Sequence, residues 1–223
     1  MGKSERQKLK ELDWAGRKQY FLDYYMFPTI VIIIVMAIVT LLLWHFCLRP
    51  KEESVLYAAV IDDSLDMTKQ KETIDDIGKL LGADSTHTVS IDDSFYLKDG
   101  ALDKIQVYLH SAQIDVMIMD KDVFEELAGY GYFVSLNELI TEDLSEKYNS
   151  EYVYAKGYLD TDEISFEDNE TGQGESKPYG LSIKNSNKYA DMSDGFIGDP
   201  VVAIAVNSTK FQNALTFIDY LMS

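Results

Sequence analysis

Ile114-Asp115-Val116-Met117-Ile118-Met119-Asp120, followed directly by Lys121-Asp122-Val123-Phe124-Glu125-Glu126-Leu127-Ala128-Gly129, carries the alternation from which the fold is read. Residues 114–119 form a short apolar run of strand-forming residues, and Asp120 closes it. Residues 121–128 follow at once as a short helix that ends at Gly129. The same unit stands twice upstream. Residues 54–61, Ser-Val-Leu-Tyr-Ala-Ala-Val-Ile, read as a buried strand stopped by Asp62 and Asp63. Residues 64–81 then place Leu65, Ile74, Ile77, Leu80 and Leu81 near helical spacing ahead of Gly82. Residues 86–91 read as a second strand closed by Asp92-Asp93-Ser94, with Leu102, Ile105, Leu109 and Ala112 marking a helix over 102–112. Strands alternating with helices predict a three-layer α/β domain with a mainly parallel sheet, because an intervening helix returns the chain to begin the next strand in the same direction.

Downstream of Gly131 the alternation loosens. Residues 132–136 resemble a short strand before a small helix at 137–140, and 141–150 a polar helix or loop. Residues 152–159 and 178–183 read as strands, with the acidic stretch 160–177 between them as a mobile loop or hairpin tip. Regularity returns with a strand at 201–206 and an amphipathic helix over 208–222, capped by Ser208 or Thr209.

Upstream of the domain, residues 24–48 contain no Asp, Glu, Lys or Arg, and residues 30–43 are almost unbroken hydrocarbon. About 20 such residues at 1.5 Å each cross a bilayer core. A buried core helix would show two faces, whereas this run is apolar all round. A cleaved signal peptide has a shorter apolar region and a small-x-small cleavage site; here the run ends Trp44-His45-Phe46-Cys47-Leu48-Arg49-Pro50. The expectation is an uncleaved span over 24–48, a cytoplasmic segment over 1–23, a linker over 49–53 and an extracellular domain over 54–223. Cys47 follows residues too bulky for a lipid-attachment motif and reads as an inert thiol at the membrane edge.

The flanks set orientation. Lys3, Arg6, Lys8, Lys10, Arg17 and Lys18 precede the span, against Arg49 and Lys51 just after it, which places the N-terminus in the cytoplasm of a cell-membrane protein. Tyr20, Phe21, Tyr24, Tyr25 and Phe27 at one edge and Trp44 and Phe46 at the other match interfacial aromatic belts. Residues 1–48 hold six basic and four acidic side chains, so of the net −18 the remainder of the chain carries −20. A domain this acidic excludes nucleic acid as a partner and is repelled by anionic lipid. One cysteine in the chain excludes an internal disulfide, leaving stability to a hydrophobic core.

Three passages carry a resemblance to a known family. Residues 114–136, with Asp120 and Gly129-Tyr130-Gly131-Tyr132-Phe133-Val134-Ser135-Leu136, are similar to a "strand, Asp, short helix, Gly-aromatic-hydrophobic-x-Leu" passage of the extracellular solute-binding proteins that feed bacterial sugar transporters. Lys177-Pro178-Tyr179-Gly180-Leu181-Ser182 resembles the segment at which that family's chain crosses its ligand cleft. Residues 201–223, with Asn207-Ser208 and Ala214-Leu215-Thr216-Phe217-Ile218, resemble its closing strand and helix. The resemblance implies a type 2 periplasmic-binding fold, of which this chain holds a single, membrane-anchored lobe. A complete member is about twice as long and closes two lobes on its ligand.

In a parallel sheet, the loops after the strands share one edge and frame a ligand crevice. That topology gathers Asp62, Asp63, Asp92, Asp93, Asp120 and Asp122 there, a set suited to a cation, an amine or sugar hydroxyls; the alternative is that these residues are ordinary helix N-caps. Tyr179 joins them from the cleft-crossing segment as a candidate ligand-binding residue, and Tyr130, Tyr132 and Tyr189 are further rings able to stack on a sugar or peptide. The three histidines, His45, His87 and His110, stand in no metal or nucleophile pattern, and neither Asp-Asp-Ser segment has calcium-loop spacing. No cofactor, metal or catalytic activity is expected. The expected function is non-catalytic binding of a small solute (sugar, amine or peptide) or of a membrane protein partner. The alternative is a structural or assembly subunit without a pocket.

Overall fold

The computed structural model describes residues 13–24, 26–45, 53–139, 147–148, 150–159 and 171–223. The chain divides into two compact units, Met1–Lys51 and Glu52–Ser223. In the first, α1 (Trp14–Tyr24) precedes α2 (Met26–Leu43). α2 has 18 residues and buries none of its side chains. At 1.5 Å per residue it is about 27 Å long, close to the thickness of a bilayer's hydrocarbon. Pro28 falls in its first turn, where the missing N–H costs no helical hydrogen bond. Thr40, its polar exception in the apolar stretch, donates its hydroxyl to the Met36 carbonyl at 2.8 Å, so that group is satisfied inside the helix. Residues 1–12, Tyr25, Cys47 and the linker residues 49–52 lie outside the described residues.

The second unit runs β1 (Glu53–Ile61), α3 (Met67–Leu81), β2 (His87–Phe95), a 3₁₀ turn (Leu97–Asp99), α4 (Ala101–His110), β3 (Val116–Asp120), α5 (Lys121–Gly129), α6 (Leu136–Leu139), β4 (Tyr152–Lys156), β5 (Ser176–Ser182), α7 (Asn187–Met192), β6 (Pro200–Ile204) and α8 (Phe211–Leu221). Alternate residues of the central strands enter two cores. Leu56, Ala58, Val60, Val116, Ile118, Val202 and Ile204 face Ile77 of α3, Tyr189 and Met192 of α7, and Phe217, Ile218 and Leu221 of α8. Ala59, Ile61, Met117, Met119, Val201 and Ala203 face Ile105 and Leu109 of α4 and Phe124 and Leu127 of α5. Helices therefore cover both faces, which is why β1, β3 and β6 read as continuous apolar runs. The three-layer α/β arrangement is as expected.

The sheet itself is mixed, not mainly parallel. Its order is β2-β1-β3-β6-β5-β4. β1 pairs in parallel with β2 and β3, and the remaining three pairings are antiparallel. The first half follows the crossover rule: the chain moves from β1 to β2 and back past β1 to β3, and α3 and α4 lie on opposite faces as that reversal requires. In the second half the last connection, from β5 to β6, does not cross the sheet. α7, at six residues, is about 9 Å long, shorter than the strand before it, so β6 starts at the end where β5 finished and runs back against it.

Several local boundaries differ from the sequence reading. β2 continues through Asp92 and Asp93 to Phe95, because its pairing with β1 persists from Ala59↔Asp92 to Ile61↔Phe95. α3 starts at Met67, capped by Asp66, which accepts from the Thr68 and Lys69 amides at 2.9 Å; the preceding Leu65 bridges Ser193 instead. Its end at Gly82, with φ of 70°, matches the expected left-handed cap. The strand expected at 132–136 reduces to one bridge, Phe133↔Ala205. α8 begins at Phe211 with no side-chain cap, since Ser208 is buried and donates to Asp115. Of the loop expected over 160–177, residues 160–170 lie outside the described residues, while Gly172 donates to the Gly129 carbonyl at 3.2 Å and residues 176–177 already belong to β5.

Candidate functional site

The reversal of strand order places the crevice for a ligand beyond the C-terminal ends of β1 and β3. Asp62 and Asp63 follow β1 and Asp120 ends β3, so these three of the six candidate carboxylates stand at this edge. The chain itself engages them. Asp63 is fully buried. Its Oδ2 accepts from the Tyr189 hydroxyl at 2.7 Å and the Ser193 hydroxyl at 2.6 Å, and its Oδ1 from the Ser64 and Phe196 amides at 2.9 and 3.2 Å. Asp120 caps α5 through the Asp122 amide and accepts from the Gly198 and Asp199 amides at 3.0 and 3.2 Å. Burial pushes the Asp120 carboxyl up, but the backbone N–H groups of Asp199, Asp122, Gly198 and Lys121 outweigh it and hold the group below the usual carboxylate range. Residues 193–199 are thus fastened by Asp63 at one end and Asp120 at the other, across the crevice.

Asp62, Asp92, Asp93 and Tyr189 are engaged as well. Asp62 adopts the left-handed conformation (φ of 55°) and accepts from the Leu97 amide at 2.8 Å. Asp93 accepts from the Leu65 amide at 3.0 Å. Asp92 lies within β2, away from the crevice. There it accepts from the Tyr57 hydroxyl and from Ser94, with the Lys104 ammonium at 3.5 Å. Burial raises its carboxyl, while the Ser94 and Tyr57 hydrogen bonds more than offset this; burial and the Asp92 carboxylate push the Tyr57 hydroxyl well up. The Lys104 ammonium also stands 3.8 Å above the Phe95 ring. Tyr179 is half-buried against the α4–α5 core, with its hydroxyl over Gly157: a Cβ placed there would lie 2.4 Å from it. Tyr189 is buried in its bond to Asp63. Among the described residues, no group of three or more His, Cys, Asp or Glu side chains is placed to hold a metal ion.

The sequence reading missed two features at the opposite end of the sheet. Asp115, fully buried at the entry to β3, accepts from the Tyr57 amide at 2.9 Å, the Ser208 hydroxyl at 2.8 Å and the Lys210 ammonium at 3.1 Å. A carboxylate inside an apolar strand run was the available signal, since such a group demands partners. The second is a pocket of about 350 Å³ between the last turn of α4 (Gln106, Leu109, His110), the turn after α5 (Tyr130 to Tyr132) and the exit of β6 (Val206, Asn207). Gly131, with φ of 75°, turns the chain sharply there, and the Tyr130 and Tyr132 rings lie 5.6 Å apart at 42°. Gln106 donates its amide to the Tyr132 hydroxyl at 2.9 Å, and Asn207 donates to the Leu109 carbonyl at 3.1 Å. Among the described residues, none that lines it is Asp, Glu, Lys or Arg.

Comparison with protein-family models, with curated proteins and with solved structures gave no match.

Proposed function

We propose that this chain is a single-pass membrane protein, anchored by α2 with its N-terminus in the cytoplasm, whose outward α/β unit recognises a ligand without catalysis. The likeness to one lobe of an extracellular solute-binding protein belongs to this proposal. What supports it is the parallel half of the sheet, β2-β1-β3, with helices on both faces. The binding place is not the strand-end crevice, where the carboxylates already serve the chain's own donors. The observation that carries the reading is the uncharged, tyrosine-lined pocket at the other end, in a part of the chain with net charge −20. A pocket of this size, with apolar walls and a few converging polar groups, is the usual form of a small-molecule site.

The closed crevice favours a second reading, in which the unit is an assembly subunit of a membrane complex and takes no solute. Both readings need the domain outside and the span retained. Protease added to intact cells should degrade residues 53–223 and leave a protected fragment containing α2. The intact mass of the mature chain should include residues 26–43. A protected domain, or a mature chain beginning beyond the span, contradicts the anchor. Thermal-shift screening of the full chain against solutes separates the two readings, because a ligand bound only to the folded state raises its midpoint.

A further inference from the structure

We propose that the outer edge of β2 docks an extended, basic segment of a partner protein, which adds one short strand to the sheet and seats an apolar side chain between α3 and β2. This surface is separate from the tyrosine-lined pocket, so the inference holds or fails independently of whether that pocket takes a solute.

The sheet order leaves β2 and β4 at its edges. An edge strand presents backbone donors and acceptors along its outer side, and a protein either blunts that row or uses it. In β2 alternate residues turn these groups outward. The His87 amide donates to the Asp84 carboxylate at 2.8 Å, and the His87 carbonyl accepts from the Asp84 amide at 2.9 Å. The Ile91 carbonyl accepts from the Gln70 side-chain amide at 2.8 Å. Val89 lies two residues from each, so its N–H and C=O point the same way, as does the Ile91 N–H. Among the described residues nothing meets these three groups. The row is closed at both ends by the chain itself and open in the middle.

A pocket of about 490 Å³ adjoins that open middle, between α3 and the start of β2. Ile74, Gly78, Ala83 and Val89 give it an apolar lining, and the exposed Asp75 and Asp84 stand at its rim. Glycine inside a helix is less favourable than alanine. A Cβ at Gly78 would meet only the Ala83 Cβ, at 3.4 Å, which is ordinary contact. Packing therefore does not demand glycine there, and the methyl it lacks leaves room in the pocket.

Charge decides the occupant. Asp75 makes no hydrogen bond or ion pair among the described residues. Lys79, the ammonium on the same lining, is engaged by Asp76 at 2.9 Å. A second copy of this chain would bring the same carboxylates against these and a second unit of equal net charge, so pairing of β2 with β2 is opposed. A cationic strand is favoured instead. Alternate side chains of an added strand share a face, so an apolar residue in the pocket sets the residues two positions away on the side of Asp75 and Asp84. The pattern that fits is basic-x-apolar-x-basic.

The test titrates the full chain in lipid nanodiscs with the peptide acetyl-Thr-Arg-Thr-Val-Thr-Arg-Thr-amide at about 150 mM salt, which screens long-range attraction. Any cationic peptide is drawn to so acidic a unit, so the decisive contrast keeps charge fixed: the same peptide with its backbone nitrogens methylated at alternate residues on the pairing edge. A third peptide carries Glu in place of Arg. Binding is read from backbone amide resonances. The first peptide should shift the Val89 and Ile91 amides saturably, and the methylated and Glu peptides should bind at least tenfold more weakly. Asp75→Lys and Gly78→Ala should each weaken the first peptide at least threefold, while Gly78→Ala keeps or raises the apo thermal midpoint. No saturable shift up to about 1 mM peptide overturns the proposal, since the affinity would then be too low to hold a partner. Equal binding of the methylated peptide overturns it too, because charge alone would be responsible. Shifts at Gly131 in place of Val89 overturn it while leaving the recognition reading standing, and concentration-dependent self-association through Val89 assigns the edge to a second copy and overturns the basic occupant.

Discussion

At the end of the sheet where β1 and β3 finish, Asp62, Asp63, Asp93 and Asp120 accept hydrogen bonds from the chain's own amides and hydroxyls, and residues 193–199 lie fastened across the crevice. At the other end, Gln106, His110, Tyr132 and Asn207 surround an open pocket with acceptors and a hydroxyl donor that still face solvent. The first end is rich in chemically capable groups and the second poor in them. What separates the two is whether those groups already have partners: a saturated carboxylate holds a loop, and an unsaturated amide can hold a ligand.

The comparison breaks most visibly at Asp63. Asp63→Ala leaves four donors without their acceptor, two of them on the Tyr189 and Ser193 side chains, and should destabilise the domain by roughly 3 kcal/mol or more in denaturant unfolding of the full chain. Were the loss under about 1 kcal/mol, the 193–199 closure would not be structural. Next comes Asp115, buried at the pocket end. Lys210→Met removes the cation from Asp115 but leaves the Tyr57 amide and Ser208 hydroxyl, so the expected loss is about 2–3 kcal/mol.

Acid sharpens the comparison further. Asp120 and Asp92 titrate lower in the folded chain than in the unfolded one. The stability they contribute is therefore present above about pH 4 and is lost as pH falls through their folded values below it. Thermal midpoints taken from about pH 6 down to about pH 2.5 should drop steeply only below about pH 4, and Asp120→Asn should flatten the drop. The smallest effect belongs to Asp62→Asn. Asn keeps the acceptor for the Leu97 amide and tolerates the left-handed backbone, so stability should change by under about 0.5 kcal/mol.

Much of this architecture is legible in the residues. The apolar run at 30–43, the three strand–helix units up to Gly129 and the left-handed cap at Gly82 follow from local pattern, because each is decided within a dozen neighbouring residues. The direction of β6 is not local: it depends on where β5 ends and on a connection whose only helix, α7, is six residues long and leaves no periodicity to detect. The candidate site fails for a related reason. Sequence tells that Asp62, Asp63 and Asp120 reach one edge. Of their donors, the Ser64 and Asp122 amides to Asp63 and Asp120 are local, but Tyr189, Ser193 and Phe196 reach Asp63 from 126 to 133 positions later, and Gly198 and Asp199 reach Asp120 from 78 and 79 positions later. Tyr130 and Tyr132 were recognisable as stacking rings, yet their neighbours Gln106 and Asn207 are brought to them only by the crossing of α4 and the exit of β6.

Site-resolved hydrogen exchange on the full chain in nanodiscs addresses the closed crevice most directly. The amides of Phe196, Gly198 and Asp199, which donate to Asp63 and Asp120, should exchange at least about a hundredfold more slowly than free peptide. Exchange of these three amides at the free-peptide rate would mean an open strand-end crevice with its carboxylates available, and would contradict the account.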